Sequence, residues 1–167
     1  MSYNLFVQSI ALVALAVFAI SFHSKTRSRI LFVNTVSLII WTVHFSLLHA
    51  WSGVILEILN ILITIFFIFR EKDKRLDKVV FVYLAIAALV IGTLFTWEGF
   101  YSVFALIGVS IMTISKWQNH PQKLRFVAIF ASVSWIVYDY FVGSSGGIIS
   151  ECVIILSLLI SIARSKK

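Results

Sequence analysis

Polar and aromatic residues recur at helical spacing inside two long apolar stretches of this sequence. The first stretch carries Asn34, Ser37, Trp41 and His44, spaced by three, four and three residues. The second stretch carries Gly53, Glu57, Asn60 and Thr64, spaced by four, three and four residues. Because residues three or four apart share one face of a helix, each set predicts a polar stripe along one helix.

The chemistry of these residues is that of a binding site. A flat aromatic ring can stack on a sugar, a heterocycle or a cation. A carboxylate can accept hydrogen bonds, balance a cationic solute or take up a proton. Trp41 and Glu57 each lie about 10 Å along the helix from the same end of their runs, so the two side chains could meet. The plainer alternatives are helix packing for the tryptophan and for His44, and a hydrogen bond to a neighbouring helix for the glutamate.

The chain repeats itself at an offset of 94 residues. This shift aligns Phe32–Arg70 with Phe126–Arg164 without a gap, and 11 of the 39 aligned positions are identical. The identical positions include a tryptophan pair, a glycine pair and a glutamate pair, which are far more informative than apolar matches. The solute-binding residues predicted from the two copies are Asn34, Trp41, His44, Glu57, Asn60, Trp135, Tyr138, Asp139 and Glu151.

The composition places these stripes in a membrane. The chain has 167 residues, of which 60% are hydrophobic and 13% charged, and its mean hydropathy is +1.02. A soluble domain is nearer a quarter charged, whereas a membrane span needs about 20 apolar residues. Seven spans are predicted, at Asn4–Phe22, Ile30–Leu48, Trp51–Phe69, Val79–Thr96, Phe100–Ser115, Phe126–Val142 and Gly147–Ala163.

The basic residues predict the orientation of these spans. All 14 Lys and Arg residues fall in alternate connectors or in the tail, within residues 23–29, 70–78, 116–125 and 164–167. Positively charged connectors stay in the cytoplasm, so the N-terminus is predicted outside and the C-terminus inside a bacterial inner membrane. On this interpretation every lysine lies outside the helices, and the net charge of +7 reflects topology and not nucleic-acid binding.

The repeat and the spans together predict the organisation of the chain. Residues 1–70 form a first bundle of three helices, residues 71–98 a cytoplasmic loop and a linker helix, and residues 99–167 a second bundle with a short basic tail. Because the linker is a single span, both bundles enter the membrane in the same direction. The expected fold is an all-α 3+1+3 parallel repeat with a cleft between the bundles.

This plan resembles the superfamily that includes SWEET and PQ-loop proteins, the nicotinamide-riboside transporters and the KDEL receptors. The segments VHFSLLHAWSG (residues 43–53) and WIVYDYFVGSSGGIISE (residues 135–151) resemble, more closely, the bacterial inner-membrane family labelled YgjV, along essentially the whole chain.

The superfamily resemblance implies specific roles and also shows departures. SWEET-type transporters place an aromatic residue on the second helix of each bundle and an asparagine on the third. Trp41 and Trp135 match the aromatic residue, but Glu57 and Glu151 replace the asparagine. This departure favours a cationic or amine-bearing solute, or proton coupling, over a neutral sugar. The superfamily's proline hinge is also missing, because Pro121 lies in a predicted connector.

The sequence therefore predicts a transporter or facilitator of a small solute, with a site between the two bundles. The alternative is a receptor or assembly protein that binds a peptide or lipid in the same cleft. An enzyme is not expected, because the sequence has no HExxH or GxSxG motif and no Cys–His pair. Neither a metal nor a cofactor is expected; the expected partners are the lipid bilayer and an unknown solute, and homo-oligomerisation is left open.

Overall fold

Seven α-helices make up the part of the chain described by the computed structural model, residues 3–21, 27–117 and 121–164. They are α1 (Tyr3–Ser21), α2 (Arg27–Leu47), α3 (Trp51–Arg70), α4 (Val80–Phe95), α5 (Ser102–Trp117), α6 (Pro121–Val142) and α7 (Ser145–Arg164). A 3-10 turn at Lys74–Leu76 is the other regular element, and these residues contain no strand. The predicted all-helical class and the number of helices are confirmed. Lys25 and residues 118–120 of the predicted connectors lie outside the described residues.

Several helices begin or end a few residues from the predicted span boundaries, and the differences in the connector expected at residues 116–125 affect the site. Helix α5 continues past Ser115 to Trp117, so Lys116 lies within a helix. Helix α6 already begins at Pro121, so this proline is not in a loop either. Proline is favoured at the first position of a helix, where its missing N–H would have no helical partner and its fixed φ suits the helix.

Six of the helices form a closed ring. Around the ring each helix packs on the next in the order α1, α2, α3, α5, α6, α7, and α7 packs back on α1. Helix α4 lies outside the ring against α3 and α5. Gly92 of α4 permits this contact, because a Cβ there would lie 2.7 Å from a methyl carbon of Leu59 on α3.

The distribution of side chains is inverted relative to a soluble protein. Polar residues such as Asn60 and Thr64 are buried inside the ring, while Leu94, Phe95 and Tyr140 expose 68%, 84% and 72% of their surface. Soluble monomers rarely expose large continuous apolar areas. An apolar exterior around a polar interior is the arrangement expected of a helical protein surrounded by lipid.

Two of the helical segments meet a strict test of length and apolarity for crossing a membrane. They are Trp51–Arg70, with a mean hydropathy of 2.3, and Arg125–Val142, with 1.4. The apolar segments of the other helices among the described residues are at most 17 residues long. At about 1.5 Å per residue these segments are somewhat shorter than a hydrocarbon core of about 30 Å.

The N-terminus of α3 is capped by groups from distant parts of the chain. Its N-cap residue, Ala50, has no side chain that can cap it. The Glu98 carboxylate, in the turn between α4 and α5, accepts hydrogen bonds from the backbone N–H groups of Trp51 (2.8 Å) and Ser52 (2.9 Å) and from the Ser52 hydroxyl (2.6 Å). The Tyr138 hydroxyl on α6 accepts from the Gly53 N–H at 2.8 Å. Three N–H groups that a helix start leaves without helical partners are thereby satisfied.

The N-terminus of α7 is held in a comparable way. Gln8 of α1 accepts a hydrogen bond from the Gly146 N–H at 2.8 Å, and the Ser144 hydroxyl accepts one from the Gly147 N–H at 3.1 Å. The ring nitrogen Nε2 of His44 on α2 lies 2.8 Å from the same hydroxyl. At the 94-residue offset His44 aligns with Tyr138, so these two aligned side chains each connect one half of the chain to the first turn of a helix in the other half.

At the other ends of α3 and α5, Arg70 connects the two helices. The Arg70 guanidinium donates to the Asp77 carboxylate at 2.6 Å and lies 3.3 Å from the centre of the Trp117 ring. It also donates to the Trp117 carbonyl oxygen at 3.4 Å. A cation–π contact and a bond to a helix C-terminal carbonyl both favour this position. Arg70 thus ties the end of α3 to the end of α5.

We expect Tyr138→Phe to destabilise the protein, because it leaves the buried Gly53 N–H without its acceptor. An unsatisfied buried donor costs about 1–3 kcal/mol. The change is measured as a lower midpoint of thermal unfolding for the detergent-purified protein. Tyr140→Phe on the same helix is the matched control, because Tyr140 is 72% exposed. Equal midpoints for the two variants would contradict this role of Tyr138.

Candidate functional site

The six ring helices line a cavity of about 60 Å³. All six ring helices contribute to its lining, from Phe18 on α1 to Ile154 on α7. Seven of the predicted site residues line it: Asn34, Trp41, Glu57, Asn60, Trp135, Asp139 and Glu151. The volume has room for a few water molecules or a small ion.

The two remaining predicted residues, His44 and Tyr138, do not line the cavity. Each instead contacts the start of a helix in the other half of the chain, as described above, and we call these two side chains braces. The His44 nitrogen Nδ1 lies 2.9 Å from the carbonyl oxygen of Val7. Because a carbonyl only accepts, Nδ1 carries the hydrogen, and in the neutral ring Nε2 accepts the Ser144 hydroxyl hydrogen. Both nitrogens of the ring are therefore engaged in holding helices together.

The paired tryptophans do not face each other across an open gap. Phe45 stands between them, with its ring centre 5.7 Å from that of Trp41 and 5.8 Å from that of Trp135. Both pairs are stacked, with interplanar angles of 28° and 17°. Gly108 on α5 provides space for Trp135, since a Cβ there would lie 2.9 Å from the indole ring. The three rings form a continuous aromatic wall of the cavity.

A lysine enters the cavity from α5. The Lys116 ammonium donates hydrogen bonds to Asn60 Oδ1 (2.9 Å) and to Thr64 Oγ1 (2.8 Å), and the residue is only 7% exposed. The Asn60 amide in turn donates from Nδ2 to the Glu57 carboxylate at 3.2 Å. Asn60 therefore presents its oxygen to the cation and its N–H to the anion, and Glu57 and Lys116 attract each other directly.

The position of Lys116 corrects the prediction that every lysine lies in a connector or in the tail. The pattern of alternating basic connectors assigned Lys116 to the cytoplasmic side by its charge alone. The signal that could have identified it is helical spacing. Lys116 follows Met112 by four residues and Gly108 by eight, which places all three on one face of α5, and Met112 also lines the cavity.

Three carboxylates share the cavity. Asp139 interacts electrostatically with Glu151 and with Glu57, and the two glutamates also interact with each other. Ser132 lies beside Glu151. Against these three acidic groups the described part of the cavity lining holds one basic side chain, Lys116. No group of three or more His, Cys, Asp or Glu residues arranged to hold a metal ion occurs within residues 3–21, 27–117 and 121–164.

The fold and this cavity define a class of protein, a helical membrane protein with a charged interior. The chain matches the family model Imp-YgjV, described as a bacterial inner membrane protein, over residues 5–167. This match covers nearly the whole chain, so the protein belongs to that family and its place is the bacterial inner membrane. No curated protein and no solved structure matches the chain.

We expect Lys116→Met to lower the free energy of unfolding by about 3–5 kcal/mol, because it leaves the Glu57 carboxylate buried without its counter-charge. Adding Glu57→Gln to this variant removes the uncompensated charge, so the double variant should be more stable than Lys116→Met alone. Reversible unfolding in mixed micelles measures both differences.

Lys78→Met is the control for this pair, because Lys78 is exposed. A double variant that loses the sum of the two single losses would show that Glu57 and Lys116 act independently.

Proposed function

We propose that all seven helices cross the inner membrane, with the N-terminus outside and the C-terminus inside, as two parallel bundles joined by α4. The helix contacts support this arrangement. The 94-residue offset exchanges α1 with α5 and α3 with α7, and the ring contains both the α3–α5 contact and its counterpart, the α7–α1 contact. The reciprocal braces made by His44 and Tyr138 follow the same exchange.

We further propose that the protein is a transporter or facilitator of a small cationic solute. The observation that carries this proposal is the convergence of Glu57, Lys116, Asp139 and Glu151, from four different helices, on one cavity. Ionisable side chains within membrane helices are costly, and where they occur they usually mark a solute or ion pathway.

The charge and size of the cavity define the solute class. When all its groups are ionised, three carboxylates and one ammonium leave a negative excess, which attracts a cation. A free volume of about 60 Å³ suits a small ion or a compact amine. A peptide or a lipid needs much more space, so the volume favours transport of a small solute over the receptor function.

Passage requires both ends of the ring to open. One end is held by the capping contacts of α3 and α7, and the other by Arg70 with Asp77 and Trp117. These contacts include hydrogen bonds and one ion pair. Each can break and re-form at modest cost, which supports alternating access to the cavity.

We expect purified protein in liposomes to take up one of three small cations, guanidinium, methylammonium or choline, when a potassium diffusion potential makes the interior negative. Uptake of that cation should exceed the uptake by protein-free liposomes about tenfold, whereas uptake of neutral glycerol should not. The double variant Glu57→Gln, Glu151→Gln should lose the uptake because it removes the anionic partners of the cation.

Glu71→Gln is the matched control, since Glu71 is an exposed glutamate outside the cavity. Its uptake should equal that of the unmodified protein. If folded, unmodified protein carries none of the three cations above the protein-free background, the proposed function is wrong.

A further inference from the structure

Three oxygen atoms in the cavity wall lack the hydrogen-bond donors that buried oxygens normally have. They are Asn34 Oδ1, Ser132 Oγ and Asp139 Oδ1, and none accepts a hydrogen bond within the described part of the chain, although the Ser132 hydroxyl can donate toward the Glu151 carboxylate. Their residues are 6%, 0% and 2% exposed, and all three line the cavity. Buried polar atoms in folded proteins are nearly always paired, so these three identify a place where a donor is needed.

The other side of the same cavity shows which group satisfies such oxygens. There the Lys116 ammonium is bound by an amide oxygen (Asn60), a hydroxyl (Thr64) and the attraction of a carboxylate (Glu57). The unpaired set repeats these three kinds of acceptor with an amide oxygen, a hydroxyl and the carboxylates of Asp139 and Glu151.

The 94-residue offset explains why the two sides differ. It aligns Glu57 with Glu151 but aligns Asn60 and Thr64 with Ile154 and Leu158, which have no polar atoms. Lys116 itself aligns with Phe22, whose side chain has no ammonium group. Glu151 therefore retains the charge of its counterpart without the lysine that balances that charge.

Two of the three unpaired oxygens, those of Ser132 and Asp139, belong to residues that interact with Glu151. Ser132 is three residues before Trp135 on α6 and Asp139 is four residues after it, so the three share one helix face. Ser132 lies beside the Glu151 carboxylate, and Asp139 interacts with it electrostatically. The Trp135 ring lines the cavity between them and can contribute a cation–π contact.

We propose that the Glu151 side of the cavity is a binding site for the primary ammonium group of a small amine. The ammonium nitrogen pairs with the Glu151 carboxylate and donates an N–H group to Ser132 Oγ. Asp139 lies about 10 Å from Ser132 along the helix axis, so a solute with a second donor, such as the hydroxyl of a short amino alcohol, reaches Asp139 from the same ammonium position. This inference rests on the proposed function for the route by which the solute enters.

Binding is tested on the detergent-purified full chain by thermal unfolding in the presence of ethanolammonium chloride. We expect a saturable rise in the unfolding midpoint, because a ligand that binds the folded state stabilises it. Tetramethylammonium chloride and sodium chloride at equal ionic strength should give no such rise, because neither cation has an N–H donor.

Variants of the wall test the assignment of its residues. Ser132→Ala and Asp139→Asn should each weaken ethanolammonium binding about tenfold, and Glu151→Gln should abolish it. Ser46→Ala is the matched control, because the Ser46 hydroxyl donates to the Thr42 carbonyl of its own helix and does not line the cavity. An unchanged affinity in both Ser132→Ala and Asp139→Asn would overturn the site.

A second measurement uses Lys116→Ala, which removes the ammonium group of the chain. If Lys116 marks an ammonium site, this variant should bind two ethanolammonium ions, and the second should restore part of the lost stability. Calorimetric titration counts the sites, and a count of one in a folded Lys116→Ala protein would contradict the comparison between the two sides.

These outcomes are separate from those of the uptake experiment. Saturable binding without uptake in liposomes would retain the site and overturn the proposed transport. Uptake of a cation together with the same midpoint rise in tetramethylammonium or sodium would retain transport and overturn the ammonium site. A protein that shows no saturable rise with ethanolammonium overturns the site whatever it transports.

Discussion

The contact that joins α3 to α5 depends on the buried ammonium of Lys116. A charged group inside an apolar bundle is tolerated only where partners compensate for the loss of water. Here the partners, Asn60 and Thr64, are on α3, so α3 and α5 must lie side by side although α4 separates them in the chain. Helix α4 is then displaced to the outside, where it packs on both and buries few of its own residues.

The ends of the helices impose a second constraint on the ring. A helix start leaves N–H groups that need acceptors, and at α3 the residues Ser52 and Gly53 are buried. Ala50 cannot cap α3, so Glu98 and Tyr138 do so from other helices. Ser144, aligned with Ala50 by the offset, caps α7 and also binds His44. The same physical need is therefore met by different residues in the two halves.

Apolar runs predicted the all-helical class, and helical spacing predicted most of the cavity lining, because both depend on residue order alone. The spacing placed Trp41, Glu57 and Asn60 on inward faces, where the structure has them. Helical spacing cannot distinguish a residue that lines the cavity from one on the same face that contacts a neighbouring helix. His44 was therefore predicted to contact solute, whereas in the structure it contacts Ser144 and Val7. The insertion of Phe45 between the tryptophans was not predicted, because it depends on how α2 and α6 meet across the ring.

The error at Lys116 has a more general cause. The alternation of basic connectors treats each lysine as evidence of a side of the membrane, whereas a buried lysine is evidence of a partner, and charge alone does not distinguish the two. The distinction matters because the aligned glutamates are otherwise equivalent. Glu57 is balanced by the chain's own ammonium, but Glu151 lies beside Ser132 and interacts with Asp139, whose Oγ and Oδ1 atoms accept no hydrogen bond within the described residues. A repeat in which one half alone contributes a lysine therefore leaves the Glu151 side of the cavity without a cationic partner among the described lining residues.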